Sequence, residues 1–223
     1  FSKKIFSVGT SSLKRIQSLK KKFISKKPMF EVGILTGFSY INNKSNSTYL
    51  NLVKSMMKEE LYEKFILNYK NYLSVIQNAY NRFQELVILI EKQYPEYKIN
   101  IRVHNSESPI GWKALAARNK NIFISKESNI LEYLENCRHV ISWKSTVTVE
   151  ALALNKPIIS FSPEIIDPLN IVYPNNEPQN TSKNIKDIDE LLLYLKKEKT
   201  ELTKSEEKNA KSFANTISKG FTS

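Results

Sequence analysis

Cysteine, histidine and glycine are scarce in this 223-residue chain, which contains one, two and five of them. The single Cys137 excludes an internal disulfide and fits a reducing compartment. Two histidines and one cysteine are too few for a closed zinc site of familiar spacing, so we expect no metal site. The glycine-rich motifs of P-loop ATPases and of dinucleotide-binding enzymes are both missing. Their absence argues against ATP hydrolysis and against NAD binding through such a motif.

Long apolar runs are also missing, since no stretch approaches the roughly 18 apolar residues that a membrane span needs. With the single cysteine, this favours a cytoplasmic protein, and peripheral contact with the inner face of a membrane stays open. The net charge is +12, from 34 Lys and Arg against 22 Asp and Glu. Such a charge favours anionic partners, including phosphorylated substrates and lipid head groups. The lysines are spread out and no recognition motif accompanies them, so we expect no nucleic-acid binding.

Short strands alternate with short helices over much of the chain. The apolar segments predicted to be strands are 30–35, 99–104, 122–125, 140–143 and 157–161. They are almost continuously apolar, as the central strands of a parallel sheet are. Helices are predicted at 109–118, 129–136 and 146–154, and a long helical stretch, broken in two, at 49–95. This alternation predicts an α/β fold, a Rossmann-like parallel sheet with helices on both faces and a helical carboxyl-terminal tail.

The remaining segments complete the predicted organisation. They are a strand at 4–10, a basic helix at 13–25, a last strand at 171–173 and terminal helices at 187–198 and 203–218. We divide the chain into a linker strand with its basic helix (1–29), a Rossmann-like domain (30–180) and carboxyl-terminal helices packing on it (181–223).

The loop that follows the strand at 140–143 carries the first candidate site, because ligands of such sheets bind at the carboxyl ends of the strands. Ser145 and Thr146 stand where a helix begins, and hydroxyl and free backbone N–H groups there favour anions. Glu150 lies one turn later, where its carboxylate can accept hydrogen bonds from ribose hydroxyls. The alternative is that Ser145 or Thr146 only caps the helix and that Glu150 is solvated.

His104 is the second candidate, at the carboxyl end of the strand at 99–104. It could donate a hydrogen bond to a phosphate or orient a sugar, and the alternative is a packed structural histidine. His139, by contrast, lies at the amino end of a strand and is predicted to be structural. The loops at the strand ends supply further candidate lining residues, namely Thr36, Phe38, Arg102, Ser106, Glu107 and Lys144.

Two sequence segments resemble motifs of bacterial surface carbohydrate biosynthesis proteins, the GT-B-type capsule polysaccharide glycosyltransferases. Arg102-Val103-His104-Asn105-Ser106-Glu107, with Trp112 nearby, resembles their R-x-H-P-x-E…W segment. Ser145-Thr146-Val147-Thr148-Val149-Glu150-Ala151-Leu152, followed by Asn155-Lys156-Pro157, resembles their S-T-x-x-x-E-A-L…G-K-P segment. The resemblance covers about residues 5–165. Asn105 and Asn155 depart from it, standing where proline and glycine are usual.

The resemblance implies that the chain is the carboxyl-terminal, nucleotide-sugar-binding half of such an enzyme. It implies that His104, Ser145 and Thr146 face the phosphates of the donor and that Glu150 faces the ribose. The donor would be a substrate of the CMP or UDP type, without a further cofactor. The acceptor would be a glycan or a lipid-linked glycan, and an amino-terminal acceptor domain or partner chain would complete the glycosyltransferase. No catalytic residue is assigned.

Two other functions remain open from the sequence. One is a nucleotide-sugar 2-epimerase-like enzyme of similar build. The other is a non-catalytic interaction module whose sugar site has decayed and whose basic surface binds a membrane or a partner enzyme.

Overall fold

The fold is a six-stranded, fully parallel sheet with helices on both faces. The computed structural model describes residues 27–39, 41–44, 59–126, 129–143, 147–153, 158–163 and 182–197, together with residues 145, 156, 203–205 and 208. Its strands are β1 (Phe30–Leu35), β2 (Ile99–Arg102), β3 (Ile122–Ile124), β4 (Cys137–Ser142), β5 (Ile159–Phe161) and β6 (Lys183–Ile185). Its helices are α1 (Glu59–Gln93), α2 (Ile110–Ala116), α3 (Ile130–Asn136), α4 (Val147–Ala153) and α5 (Ile188–Leu195). The strand order is β3-β2-β1-β4-β5-β6, that of the Rossmann fold.

Alternate residues of β1 face opposite sides of the sheet, and each side has its own apolar core. Val32 and Ile34 lie in the larger core, which we call the α1 face because it packs against α1, α2 and α5. Leu35 lies in the smaller core, the α3 face, which packs against α3 and α4. Burial of both faces explains why the strands are apolar almost throughout.

Helix α1 covers the α1 face through one apolar stripe. Its fully or almost fully buried residues recur at helical spacing: Val75, Ile76, Ala79, Phe83, Leu86, Val87 and Ile90. The chain contains no glycine or proline between Glu59 and Gln93, so nothing in the sequence interrupts the helix. The break predicted somewhere in 49–95 is therefore not found within this span.

Most predicted elements are confirmed, with differences at the ends. Strand β4 begins at Cys137 and not at residue 140, because the polar Arg138 and the buried His139 belong to it. Strand β6 was not predicted, since Lys-Asn-Ile at the edge of a sheet has little strand signature. Helix α5 confirms the helix predicted at 187–198.

Several predicted elements lie outside the described residues. They are the strand at 4–10, the basic helix at 13–25, the strand at 171–173 and most of the helix at 203–218. Among the described helices, none is both long enough and apolar enough to cross a membrane.

Candidate functional site

The strand order places a topological switch point between β1 and β4. At their carboxyl ends, Leu35 of β1 is in register with Arg102 of β2 on one side and Ser142 of β4 on the other. After β1 the chain leads to α1 on one face of the sheet, and after β4 it leads to α4 on the opposite face. Loops that diverge in this way leave a crevice between them, where open α/β sheets bind their ligands. We call this place the switch-point crevice, bounded by residues 36–39 on one side and by residues 143, 145 and 147 on the other.

An aromatic stack joins the two sides of the crevice. The rings of Phe38 and Trp143 lie parallel, with centroids 5.2 Å apart and an interplanar angle of 12°. Phe38 is fully buried, and its ring also packs edge-on against Tyr80 and Phe83. Phe38 was predicted to line the donor site, and the structure places its ring in the core beneath the crevice.

Glu107 is a fully buried carboxylate that ties three segments together. Its Oε2 accepts hydrogen bonds from the Thr36 hydroxyl at 2.6 Å and from the backbone N–H of Phe38 at 3.1 Å. Its Oε1 accepts a hydrogen bond from the indole N–H of Trp112 at 2.7 Å. The loop after β1, the loop after β2 and helix α2 therefore share one buried acceptor. Glu107 lies beneath the surface of the predicted site and does not reach solvent.

The loops after β1 and β2 are also joined through their backbones. An antiparallel bridge pairs Asn43 with Glu107. On either side of it, the Lys44 N–H donates to the Ser106 carbonyl at 3.1 Å and the Ser108 N–H donates to the Asn42 carbonyl at 2.6 Å. This short ribbon holds the two loops in one arrangement above the sheet.

His104 lies exposed at one end of this ribbon. Its backbone N–H donates to the Thr36 hydroxyl oxygen at 3.0 Å. Its ring Nδ1 lies 2.8 Å from the Ser106 hydroxyl and 3.4 Å from the Ser106 N–H. Because a backbone N–H can only donate, Nδ1 is the acceptor there and the neutral ring carries its proton on Nε2. The ring thus offers an N–H to solvent, as a group that binds a phosphate oxygen would.

Ser145 acts as a local cap at the start of α4. Its hydroxyl accepts the Val147 N–H at 3.2 Å, and its carbonyl accepts the Thr148 hydroxyl at 2.8 Å. This is the capping geometry that formed the alternative to anion binding. The Ser145 hydroxyl oxygen is used in this cap. Lys144 and Thr146, the other residues predicted in this loop, lie outside the described residues.

Glu150, in the first turn of α4, is the least satisfied acidic group of the crevice. Its Oε2 is buried, and no described residue donates a hydrogen bond to it. Burial raises the pKa of this carboxyl above its ordinary value, and its own backbone N–H opposes the rise only partly. A buried carboxylate oxygen without a donor is costly and rare in folded proteins. The predicted alternative, a solvated Glu150, does not describe this oxygen.

Arg102 contacts a side chain of α3. Its guanidinium lies over the ring of Tyr133, 5.7 Å from the ring centre.

Hydrogen bonds bring four of the predicted residues into one group, namely Thr36, His104, Ser106 and Glu107. Ser145 and Glu150 lie on the other side of β1. No group of three or more His, Cys, Asp or Glu side chains in the described part of the chain could hold a metal ion.

Two basic side chains in or near the amino-terminal half of β4 have structural contacts. His139 is fully buried, and its ring Nε2–H donates to the Lys197 carbonyl at 2.9 Å. Burial is the main cause that lowers its pKa to about 4. Lys156 donates to the carbonyls of Leu134 and Cys137, and burial lowers its pKa to about 8. The structural prediction for His139 fits this placement, because its ring is buried and bonded to a backbone carbonyl.

The comparisons with known proteins are sparse. No family model matches the chain, and no curated protein matches it. Among solved structures, the crystal structure of TarM matches the chain, with 12% sequence identity and a TM-score of 0.40. The match covers 88% of this chain and 32% of TarM, so the chain spans about a third of that protein. A likeness this distant carries no argument about function, and the Rossmann-like fold is established here by the sheet order.

The site residues predicted from the sequence did not include two aromatic side chains that the structure places at these loops. Trp143, which stacks on Phe38 at the switch point, and Trp112, which binds Glu107, were not among the predicted site residues. The chain contains only these two tryptophans. Trp143 comes directly after β4, and Trp112 comes five residues after Glu107. These positions were the signals in the sequence that could have indicated a role at the site.

Proposed function

We propose that this chain is the donor-binding domain of a glycosyltransferase of surface or capsule polysaccharide biosynthesis, which binds a nucleotide sugar in the switch-point crevice. The observation that carries the proposal is the buried Glu150 Oε2, which has no donor among the described residues and lies on the helix that follows the switch-point strand. Ribose hydroxyls are donors of the required kind, and a carboxylate accepts them strongly.

The other side of the crevice supplies complementary chemistry. The exposed His104 ring offers an N–H, and Ser106 fixes the ring from its Nδ1 side. In the proposed complex His104 binds a phosphate oxygen of the donor and stabilises charge on the departing nucleotide. The sequence segments around His104 and Ser145, which resemble those of GT-B-type proteins, support the same assignment. A glycan or lipid-linked acceptor would be bound with the help of a second domain or chain.

A thermal-shift screen with CMP, CDP, UMP, UDP and GDP tests the proposal. A nucleotide at 100 times its Kd stabilises a protein by about 2.7 kcal/mol, which is a shift of about 5–10 °C for a domain of this size. We expect one nucleotide to stabilise the protein, and Glu150→Gln to weaken its binding roughly 10- to 100-fold, the usual range for a hydrogen bond to a charged group.

Glu132→Gln is the matched control, because Glu132 also lies in the first turn of a seven-residue helix but is exposed. It should leave the nucleotide affinity unchanged. If none of the five nucleotides binds the wild-type protein, the proposed function is wrong.

The capping contacts of Ser145 favour a second candidate, the non-catalytic interaction module, because they give this loop a structural role without a ligand. The same screen separates the two, since such a module would bind no nucleotide.

A further inference from the structure

The buried contacts of Glu107 have a consequence for His104 that the sequence motifs did not reveal. Glu107 has no exposed surface, and all three of its hydrogen-bond donors are neutral groups. In the described part of the chain, no basic side chain forms an ion pair with it. A buried carboxylate of this kind is costly to maintain unless its donors are held firmly in place.

Thr36 connects this carboxylate to His104. The Thr36 hydroxyl donates its hydrogen to Glu107 Oε2 at 2.6 Å, so its oxygen is left as an acceptor. That oxygen accepts the backbone N–H of His104 at 3.0 Å. The hydrogen bond to Glu107 therefore fixes the direction of the hydroxyl, and with it the position of the acceptor that holds the His104 N–H.

We propose that Glu107 and Thr36 are positioning residues that hold His104 at the rim of the switch-point crevice. This inference rests on the proposed function, because it assigns their role to the binding of a nucleotide phosphate by His104. Neither residue touches the ligand. Without the Thr36 hydroxyl, the loop after β2 is still joined to residues 42–44, and the Phe38 N–H still donates to Glu107. The backbone N–H of His104 itself, however, loses the acceptor that Thr36 supplies.

The first test is a double-mutant cycle on nucleotide affinity, measured by calorimetry with the nucleotide that binds tightest in the screen. Thr36→Val removes the hydroxyl and keeps the shape, and we expect it to weaken binding roughly 10- to 100-fold, the range for a misplaced binding group. Thr36→Ser keeps the hydroxyl and should restore most of the affinity. In a His104→Ala background, Thr36→Val should cost almost nothing further. An equal loss in both backgrounds would show that Thr36 does not act through His104.

The second test needs no nucleotide. The chain has only two histidines, so the imidazole proton resonances of His104 and His139 can be told apart in an NMR spectrum. Thr36→Val should move the His104 resonance and leave that of His139 unchanged, since His139 lies in the amino-terminal half of β4, where its buried ring is held by the Lys197 carbonyl. A His104 resonance that does not move, or both moving together, would overturn the inference.

The two tests separate this inference from the proposed function. If no nucleotide binds, the proposed function fails, and the NMR result alone decides whether Glu107 and Thr36 position His104. If Thr36→Val does not fold, Trp112→Phe is measured instead, because it removes the donor to the other oxygen of Glu107. It should move the His104 resonance selectively, and no movement would count against the inference.

Discussion

Replacing Glu150 by glutamine should stabilise the unliganded protein at neutral and alkaline pH. The wild-type side chain holds a buried carboxylate oxygen that receives no hydrogen bond from any described residue. Leaving such a group unsatisfied costs about 1–3 kcal/mol, and more when it is charged. Glutamine keeps the shape and a polar amide but removes the charge, so it recovers only part of this cost. We expect a gain of about 1 kcal/mol, or roughly 2–4 °C in Tm for a protein of this size.

The gain should depend on pH in a defined direction. Burial raises the pKa of Glu150 in the folded protein above the ordinary value of 4.5. The folded protein then binds more protons than the unfolded chain between these two pKa values, so Glu150 makes the wild type lose stability as pH rises through that window. The advantage of Glu150→Gln is therefore largest above the folded pKa and shrinks as the pH falls toward 4.5.

Urea unfolding of both proteins at several pH values between 4.5 and 8 measures this difference, with Glu132→Gln as the control that should stay close to the wild type. A Glu150→Gln protein that is less stable than the wild type at pH 8 would refute the reasoning, because it would mean that the carboxylate has a favourable partner. The gain in stability should accompany the loss of nucleotide affinity expected above, as is common for residues that bind a ligand.

Two further predictions concern residues outside the crevice. Burial lowers the pKa of His139 from 6.5 to about 4, so the folded protein resists protonation and loses stability as pH falls between these values. The wild type should lose about 2 kcal/mol between pH 7 and pH 5 through this residue, and His139→Gln should lack that loss in parallel urea titrations. In a second variant, Gly33→Ala, the new Cβ would lie 2.7 Å from Cys137 Sγ and 2.8 Å from the Tyr133 hydroxyl. Crowding of this kind costs about 1–3 kcal/mol, whereas the control Gly37→Ala meets only a carbonyl oxygen at 3.8 Å. Equal Tm values for the two alanine variants would contradict this explanation.

The fold was largely predictable because its signals are local. Each central strand is an apolar run, and each short helix is bounded by polar residues, so alternation along the chain indicated the parallel sheet. Asn129 and Asp187 even cap their helices through side-chain hydrogen bonds, as residues of their type commonly do. Strand β6 was missed because its pairing with β5 is a tertiary contact without a local pattern.

The site was predictable only in part, because its decisive contacts join distant segments. Thr36 and Glu107 are 71 residues apart in the chain, and nothing near either residue indicates that the two side chains meet. Glu107 was predicted to line the donor site, yet its burial depends on α2 and on the loop after β1. Lys156 shows the same limit, since its contacts with the end of α3 and the start of β4 cannot be seen from the Lys-Pro sequence that drew attention to it.

The ribbon between residues 42–44 and 106–108 also bears on how this protein could vary during evolution. Its hydrogen bonds and those of Glu107 fix the lengths of both loops at once, because an inserted residue in either loop would shift the pairing of Asn43 with Glu107. The Thr36 hydroxyl donates to the Glu107 carboxylate. A change at Thr36 therefore removes one of the donors of Glu107, and a change at Glu107 removes the acceptor of the Thr36 hydroxyl. Among homologues of this chain, we expect residues 36 and 107 to change together and the two loops to tolerate neither insertions nor deletions.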